Sequence, residues 1–267
     1  MRKLYIIPTL NCNLKCPHCF VRNGQETYDE KKILEFVNNS NFDEYVLFGG
    51  EPLLYRERFF SLVQSKKIST VSTNLLLLDE QYIETIKENN ITVATSWNPR
   101  RFTTKQYSQW LDNLSLLENH NIDCTIMITL TEDLIEIDPL DFYNQYVSVW
   151  DKIKSIKYIK FEPLVDEDKT EEFYEMVDDW LCLLHQYWKT HIINILENEL
   201  ENHFCKCENV YTLYPSGDLK HGCPMYKRTK VNMSCFGCNL SHICKPCVLQ
   251  QHCVYPKKLY NLLKELK

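Results

Sequence analysis

Three cysteines near the start of the chain are spaced like the ligands of a metal centre. Cys12, Cys16 and Cys19 lie within the segment CNLKCPHC. A closed zinc or iron–sulfur site takes four protein ligands. Three thiolates can hold three irons of a four-iron cluster and leave the fourth iron open, as a catalytic metal site requires. The alternative is a zinc site whose fourth ligand is His18 or a distant residue.

A second motif, FGGEPLL over residues 48–54, follows the next predicted strand. Gly49 and Gly50 would let the backbone approach a bound molecule closely, because glycine has no Cβ atom. Glu51 and Pro52 would shape the turn. A Gly-Gly turn alone is common, but its position after a strand, in order behind the cysteine motif, argues against coincidence.

Together the two motifs resemble those of the radical SAM superfamily, which carries Cys-x-x-x-Cys-x-x-Cys in the first strand–helix loop. The resemblance implies that Cys12, Cys16 and Cys19 hold a four-iron, four-sulfur (4Fe–4S) cluster. It implies that S-adenosylmethionine (SAM) chelates the fourth iron and is cleaved to methionine and a 5′-deoxyadenosyl radical, which abstracts a hydrogen atom. The second motif would contact the methionine end of SAM through Gly49, Gly50, Glu51 and Pro52.

Polar residues at later strand ends are further candidates for SAM contacts. By position they could touch the ribose, the carboxylate or the adenine, and each could equally be a capping residue or a solvated strand end. His18 resembles a position where the family often has an aromatic side chain near the adenine. The candidates are Thr73, Asn74, Ser96 and Glu162, together with His18.

Eight further cysteines lie between residues 205 and 253. Alone, CFGCNLSHICKPC could be a zinc knuckle. In this chain the region resembles the SPASM extension of radical SAM enzymes that modify peptides, although several spacings depart from that pattern. The resemblance implies two auxiliary 4Fe–4S clusters, hence three in total; one cluster plus zinc, or a cluster with an open iron, is the alternative. The implied ligand sets are Cys205, Cys207, Cys223 and Cys247, and Cys235, Cys238, Cys244 and Cys253.

Composition excludes several other classes of protein. The 267 residues carry a net charge of −6, so no broad cationic face is available for a nucleic acid. No apolar stretch is long enough to span a membrane, and the N-terminus is too short for a signal peptide. We therefore place the protein in the cytoplasm, where thirteen cysteines favour metal binding over disulfides. Cys124 and Cys182 stand apart from both clusters and are expected to be buried thiols.

Strand-like and helix-like segments alternate from residue 3 to about 165, which predicts an α/β fold with parallel strands. Six such units predict a partial (β/α)6 barrel, with the cysteine motif at its C-terminal mouth. A C-terminal cysteine-rich domain of a β-hairpin and short helices would follow. We divide the chain into residues 1–200, the barrel with a bridging helix over 170–200, and residues 201–267. The predicted strands are 3–10, 45–48, 69–73, 91–97, 122–130 and 156–164, the helices 28–39, 56–64, 79–89, 104–119 and 138–150, and the hairpin 210–223.

The resemblance implies a radical SAM peptide maturase that forms a carbon–carbon, carbon–oxygen or thioether cross-link. Its partners would be a precursor peptide and a reductant such as flavodoxin or ferredoxin. Because Cys12 comes so early, recognition of the peptide is expected from the barrel mouth, the C-terminal domain or a separate leader-binding protein.

Three other functions stay open. A dehydrogenase of protein Ser or Cys residues, of the sulfatase-maturing type, would need an acidic base. A peptide epimerase would need a thiol hydrogen donor. A zinc or electron-carrier scaffold would have no use for the FGGEP turn. The candidate bases are Glu162, Asp166 and Asp168, and the candidate thiols are Cys124 and Cys182.

Overall fold

A computed structural model describes residues 2–19, 21, 26–163, 170–188, 210–221, 258, 259, 261 and 262. The strands are β1 (Lys3–Ile6), β2 (Glu44–Leu47), β3 (Thr70–Ser72), β4 (Thr92–Trp97), β5 (Cys124–Leu130), β6 (Ile156–Pro163), β7 (Val210–Leu213) and β8 (Leu219–His221). The helices are α1 (Glu30–Asn39), α2 (Arg56–Val63), α3 (Glu80–Glu88), α4 (Thr104–Asn119), α5 (Glu132–Ile135), α6 (Pro139–Phe142), α7 (Ser148–Trp150) and α8 (Glu171–Tyr187).

The eight strands form one sheet in the order β6-β5-β4-β3-β2-β1-β7-β8. The pairs β1–β2, β2–β3 and β3–β4 are parallel, as alternating strands and helices require. Strands β1 to β6 follow one another along the sheet with helices between them. This arrangement confirms the predicted α/β class, and the carboxyl ends of the central strands lie at one edge, where the loops after β1 to β4 meet.

The predicted hairpin is confirmed, and it extends this sheet. Strand β7 pairs with β1 in parallel, and β8 returns antiparallel to β7. Gly217 adopts φ 73° in the turn, where its N–H donates to Tyr214 O at 2.8 Å. Glycine suits this left-handed conformation because it lacks a Cβ atom.

Polar side chains fix where the helices begin. Asp29 accepts a hydrogen bond from Lys32 N before α1, and Asp79 accepts one from Tyr82 N before α3. Thr103 caps α4 through a reciprocal pair of bonds with Gln106. Each cap satisfies backbone N–H groups that the first helical turn leaves without a partner. The starts of these three helices therefore lie within two residues of the sequence predictions.

Contacts divide the chain into two compact units. The first contains the chain up to Met127, residues 153–157 and the described residues 210–221. Its core combines strand residues with one face of each helix. The Trp110 indole N–H donates to Thr95 Oγ1 at 3.0 Å, which fixes α4 against β4. The main buried side chains are Leu4, Ile6, Leu47, Phe59, Val71, Tyr82, Val93, Trp110 and Leu114.

The second unit contains Ile128–Lys152 and the described residues from 158 onward outside the first unit. Aromatic rings fill its core: Phe142 packs edge-on against Trp150 and Trp180, with centroids 6.1 and 5.2 Å away. The Trp180 indole N–H donates to Ile137 O at 2.8 Å. Since indoles need a hydrogen-bond partner when buried, this bond orients α8 within the unit.

The predicted bounds of one strand and two helices need correction. Strand β1 ends at Ile6 instead of residue 10. Ile7 N still donates to Leu213 O in β7, but Thr9 O accepts from Gly50 N in the loop after β2, so the chain has left the strand ladder there. The predicted helix over 138–150 contains a π-helical turn over 143–147.

The helix predicted over 170–200 ends at Tyr187, because Trp188 leaves the helical conformation. One apolar face of α8, which includes Phe173, Val177, Trp180 and Leu184, is buried, whereas Met176 is 53% exposed. The boundary predicted at residue 200 and all eight cysteines from Cys205 to Cys253 lie outside the described residues. Within the part of the chain that the structure describes, no helix is both long and apolar enough to cross a membrane.

Candidate active site

The cysteine motif lies in the loop that follows β1. A tight turn, in which Cys19 N donates to Cys16 O at 3.1 Å, contains His18, which is half-buried. Cys12 Sγ accepts a hydrogen bond from Leu14 N at 3.4 Å. All three thiols are partly exposed, and no disulfide joins the described cysteines.

The donor set of this loop fits an iron–sulfur cluster. Thiolate sulfur is the ligand that such clusters take, and N–H···S bonds of the kind made by Leu14 tune them. Among the described residues no three potential ligand side chains already surround one point. The loop therefore fits an iron–sulfur cluster by the chemistry of its three thiols, and cluster binding would bring these thiols together.

The glycine turn packs directly on the approach to this loop. Gly50 N donates to Thr9 O at 3.0 Å, and Glu51 N donates to Asn11 O at 2.8 Å. A Cβ atom on Gly50 would lie 2.0 Å from Asn11 O, and one on Gly49 would lie 2.7 Å from Thr9 O. Glycine is thus required here by the backbone before Cys12. A contact of this turn with SAM stays a prediction.

Glu51 connects the glycine turn to the end of β3. Its carboxylate is 1% exposed and accepts hydrogen bonds from Thr73 Oγ1 at 2.6 Å, Asn74 N at 2.8 Å and Leu53 N at 3.0 Å. Burial raises the pKa of this carboxyl, and the three hydrogen bonds oppose that rise. Glu51 acts in the described structure as the buried acceptor that organises the turn.

Asn74 reaches from β3 to the cysteine loop. Its side-chain N–H donates to Asn13 Oδ1 at 2.7 Å and lies 3.9 Å from Cys12 Sγ. The Thr73 and Asn74 side chains also accept backbone N–H groups two residues on, which holds Leu75 at φ 65°. A bulky residue in this left-handed conformation marks a constrained turn. The structure therefore connects three predicted positions, Asn74, Thr73 and Glu51, to Cys12.

The loop after β4 supplies positive charge to this site. Burial raises the pKa of the Cys12 thiol, Glu51 adds to that rise, and Arg101 opposes it. Arg101 likewise opposes the raised pKa of Glu51. The Arg101 Nε atom is buried and has no hydrogen-bond partner among the described residues. Arg101 was missed from the sequence, although its position just after a strand end was an available signal.

The structure gives less information about the other predicted site residues. Ser96 is half-buried near the end of β4, and Pro52 is buried in the glycine turn. Glu162 lies in β6, but its side chain is not among those described. Asp166 and Asp168 lie outside the described residues.

Two cysteines of the described chain, Cys124 and Cys182, stand apart from the cysteine motif. Cys124 begins β5 and is level with the start of β4, since Val93 N donates to Asp123 O. It therefore lies away from the strand ends that carry the cysteine motif, and burial raises its pKa. Cys182 belongs to the second unit, and desolvation raises its pKa to about 11. The prediction of a buried thiol is confirmed for Cys124, whereas Cys182 is only half-buried.

Comparison with known proteins agrees with this geometry. The sequence matches the radical SAM superfamily over residues 6–145, more than half of the chain. The chain belongs to the radical SAM superfamily. As a radical SAM enzyme it uses a 4Fe–4S cluster and SAM, and the loop that holds Cys12, Cys16 and Cys19 falls inside the matched segment.

Solved structures of radical SAM proteins share the fold. SuiB from Streptococcus suis, bound to SAM, matches with a TM-score of 0.63 and 18% identity, over 91% of this chain and 72% of SuiB. The protein anSMEcpe, also with bound SAM, matches with a TM-score of 0.68 and 17% identity, over 99% of this chain and 96% of that one. The partial-barrel fold is thereby confirmed.

Two archaeal proteins are similar in sequence. A protein from Methanocaldococcus jannaschii, described as a candidate glycyl-radical enzyme activating enzyme, is 24% identical over 61% of this chain and 71% of its own. An uncharacterized protein from Archaeoglobus fulgidus is 25% identical over 40% of this chain. The chain spans only 28% of the length of that second protein.

Proposed function

We propose that this radical SAM enzyme oxidatively modifies a ribosomally made peptide, closing a carbon–carbon, carbon–oxygen or thioether bond. The observation that supports the proposal most is the similarity to SuiB, whose structure is also known with its precursor peptide SuiA. That structure matches with a TM-score of 0.59 and 18% identity over 91% of this chain. The eight cysteines after residue 204 add a second reason, since oxidative bond closure needs an electron acceptor.

Contacts from Asn74 and from the glycine turn hold the cysteine loop that would bind the cluster. Cys12, Cys16 and Cys19 would be its ligands, and when bound it supplies one electron to SAM. Asn74 contacts the loop at Asn13, and the glycine turn fixes the backbone before Cys12. These contacts order the site before either SAM or substrate binds, which lowers the entropic cost of placing the reacting atoms.

The proposed reaction removes two hydrogen atoms from the peptide. The peptide gives one hydrogen atom to the 5′-deoxyadenosyl group, forming 5′-deoxyadenosine. Closing the new bond removes the second hydrogen as a proton and one electron. An external reductant of the flavodoxin or ferredoxin class supplies the electron for SAM cleavage. We assign the acceptor of the second electron to two auxiliary clusters on Cys205, Cys207, Cys223 and Cys247, and on Cys235, Cys238, Cys244 and Cys253.

Anaerobic reconstitution tests this assignment. We expect about 12 iron ions per chain if all three clusters are present. With dithionite and peptides encoded by neighbouring reading frames, the product should be lighter by two hydrogens. Cys223→Ala and Cys235→Ala should still cleave SAM but form no product, whereas Cys182→Ala should do both.

Circular dichroism and the remaining iron content must first show that these variants are folded. A folded Cys223→Ala variant that turned over peptide at the wild-type rate would exclude the electron-acceptor role. Stoichiometric zinc in place of iron would exclude auxiliary clusters altogether.

The similarity to anSMEcpe over 99% of this chain favours a second candidate, oxidation of a Ser or Cys side chain of the sulfatase-maturing type. That reaction also removes two hydrogens, but from one residue. A Ser side chain gives a carbonyl directly, and a Cys side chain gives a thioaldehyde that water converts to the carbonyl with release of hydrogen sulfide; hydrazine reagents trap the carbonyl. A trapped carbonyl would select this candidate, and an untrapped product with a cross-linked fragmentation pattern would select the peptide maturase. The base would be sought among Glu162, Asp166 and Asp168.

A further inference from the structure

A buried carboxylate ties together the two ends of the cysteine loop. Glu26 follows the loop in sequence, yet its side chain contacts residues that precede Cys12. Its carboxylate accepts hydrogen bonds from Thr9 Oγ1 at 2.9 and 3.0 Å and from Leu10 N at 2.5 Å. Thr9 Oγ1 in turn accepts from Asn11 N at 3.0 Å. The chain therefore returns, after its three cysteines, to the backbone from which the loop departs.

Arg58, in the first turn of α2, completes this connection. Its Nη1 atom lies 2.6 Å from Glu26 Oε1 and donates to Pro8 O at 2.8 Å. The guanidinium lies over two rings, 4.0 Å from the centroid of Tyr28 and 4.2 Å from that of Tyr55. The Arg58 and Glu26 side chains are only 19% and 8% exposed. Aromatic walls and burial strengthen such a charge-assisted pair relative to one in water.

The four residues before Cys12 are thus held from two sides. The glycine turn bonds to Thr9 O and Asn11 O, while Glu26 and Arg58 bond to Leu10 N and Pro8 O. The Asn11 side chain also donates to Tyr55 Oη at 3.2 Å. Neither Glu26 nor Arg58 lies in a recognised motif or at a strand end, so they have no sequence signal of a role.

We propose that Glu26 and Arg58 are positioning residues that form a clasp across the base of the cysteine loop. The clasp fixes where Cys12 leaves the sheet and where the chain returns, so that the three thiols converge on one cluster in one geometry. The inference rests on membership of the radical SAM superfamily. It does not depend on the proposed peptide reaction, because no part of the argument involves the peptide.

The same helix offers a matched control. Arg56 forms an ion pair with Asp79 and donates to Gln81 Oε1 at 2.6 Å. Its side chain is 40% exposed, and these contacts are with residues at the start of α3, far along the chain from the cysteine loop. Arg56→Lys and Arg58→Lys therefore make the same chemical change two positions apart on α2. Only Arg58→Lys alters contacts with the base of the cysteine loop.

The first measurement uses the reduced, metal-free protein. Iodoacetamide alkylation of Cys12, Cys16 and Cys19 is followed by mass spectrometry of the resulting peptides. We expect Glu26→Gln and Arg58→Lys to speed alkylation by about tenfold, because losing a partly buried charged hydrogen bond raises the population of the open loop. Arg56→Lys should leave the three rates unchanged.

The second measurement uses the reconstituted enzyme. With iron content equal to wild type, Arg58→Lys should alter the electron paramagnetic resonance spectrum of the reduced cluster with SAM and raise the KM for SAM. Thr9→Val removes the hydroxyl that donates to Glu26 and accepts from Asn11 N, but keeps the Glu26–Arg58 pair. It should cause a smaller change in the same direction and serves if the charge variants fold poorly. Thermal melting checks folding.

The proposal would be overturned if Glu26→Gln and Arg58→Lys lowered the melting temperature but gave the same alkylation rates and spectra as Arg56→Lys. Glu26 and Arg58 would then form an ion pair that only stabilises the fold. Neither measurement includes peptide. A failure of the peptide proposal would therefore not be mistaken for a failure of the clasp.

Discussion

Gly50→Ala tests the contact between the glycine turn and the cysteine loop. The added Cβ atom would lie 2.0 Å from Asn11 O, 2.5 Å from Asn11 C and 2.8 Å from Leu10 C. These neighbours are backbone atoms, which cannot rotate away as the end of a side chain can. The segment before Cys12 must therefore move by about 1 Å or more to restore ordinary contact distances.

The size of the effect follows from the bonds that this movement breaks. Gly50 N to Thr9 O and Glu51 N to Asn11 O are the two hydrogen bonds between turn and loop. Each contributes about 1 kcal/mol to stability, and residual strain adds to their loss. We expect the free energy of unfolding to fall by about 2–4 kcal/mol. Since the displaced segment carries Cys12, iron incorporation and SAM binding should fall as well.

Urea denaturation of the metal-free protein measures the first effect, and iron content after anaerobic reconstitution measures the second. Gly217→Ala is the control: Gly217 has φ 73°, and the three atoms nearest to a Cβ there, at 2.6–3.0 Å, belong to the side chain of Lys32, far in sequence from the cysteine loop. That control should lose about 1–2 kcal/mol from backbone strain, plus the cost of moving Lys32, and keep its iron. A Gly50→Ala protein with wild-type stability and iron content would refute the close approach of turn and loop.

Four further substitutions test other parts of the structure. Glu51→Gln should lower the free energy of unfolding by about 2–3 kcal/mol in urea denaturation, because an amide cannot accept from all three donors, and Thr73→Val, which removes one donor, should cost about 1 kcal/mol. Asp178 accepts from the backbone N–H groups of Lys258 and Leu259, and burial raises its pKa above the ordinary 3.8. The folded chain then keeps a proton that the unfolded chain has lost, so the free energy of unfolding falls as pH rises just above 3.8, and Asp178→Asn should flatten this slope in denaturation curves measured across that range. Cys16→Ala should abolish the reductive cleavage of SAM to 5′-deoxyadenosine, measured by chromatography; cleavage at the wild-type rate would mean that Cys16 is not a cluster ligand.

Local patterns were enough to predict the class of fold and the family. The spacing of Cys12, Cys16 and Cys19 and the FGGEP turn lie within short segments, so their chemistry is visible without a structure. Strand–helix alternation predicted the order of elements because hydrophobic periodicity reports which face of each segment is buried. Polar caps such as Thr103 explain why the helix starts were predicted closely.

Contacts between distant parts of the chain were not predictable in this way. Asn74 and Cys12 are 62 residues apart, and Glu26 and Arg58 are 32 apart. Nothing in the local sequence distinguishes Glu26 from the acidic residues that lie on the surface, since its role depends on which backbone N–H groups the folded loop presents to it.

The sequence by itself determined which residues could hold a cluster and which elements would carry them, because ligand spacing and burial periodicity are local properties. The tertiary structure alone decided what holds the cysteine loop in place. Parallel strands bring the loops after β1, β2 and β3 to one edge of the sheet, and there Asn74 and Glu51 contact the residues around Cys12 and the segment before it. It also decided that the requirement for Gly50 comes from the backbone at Asn11, because only the fold brings those two segments within van der Waals distance.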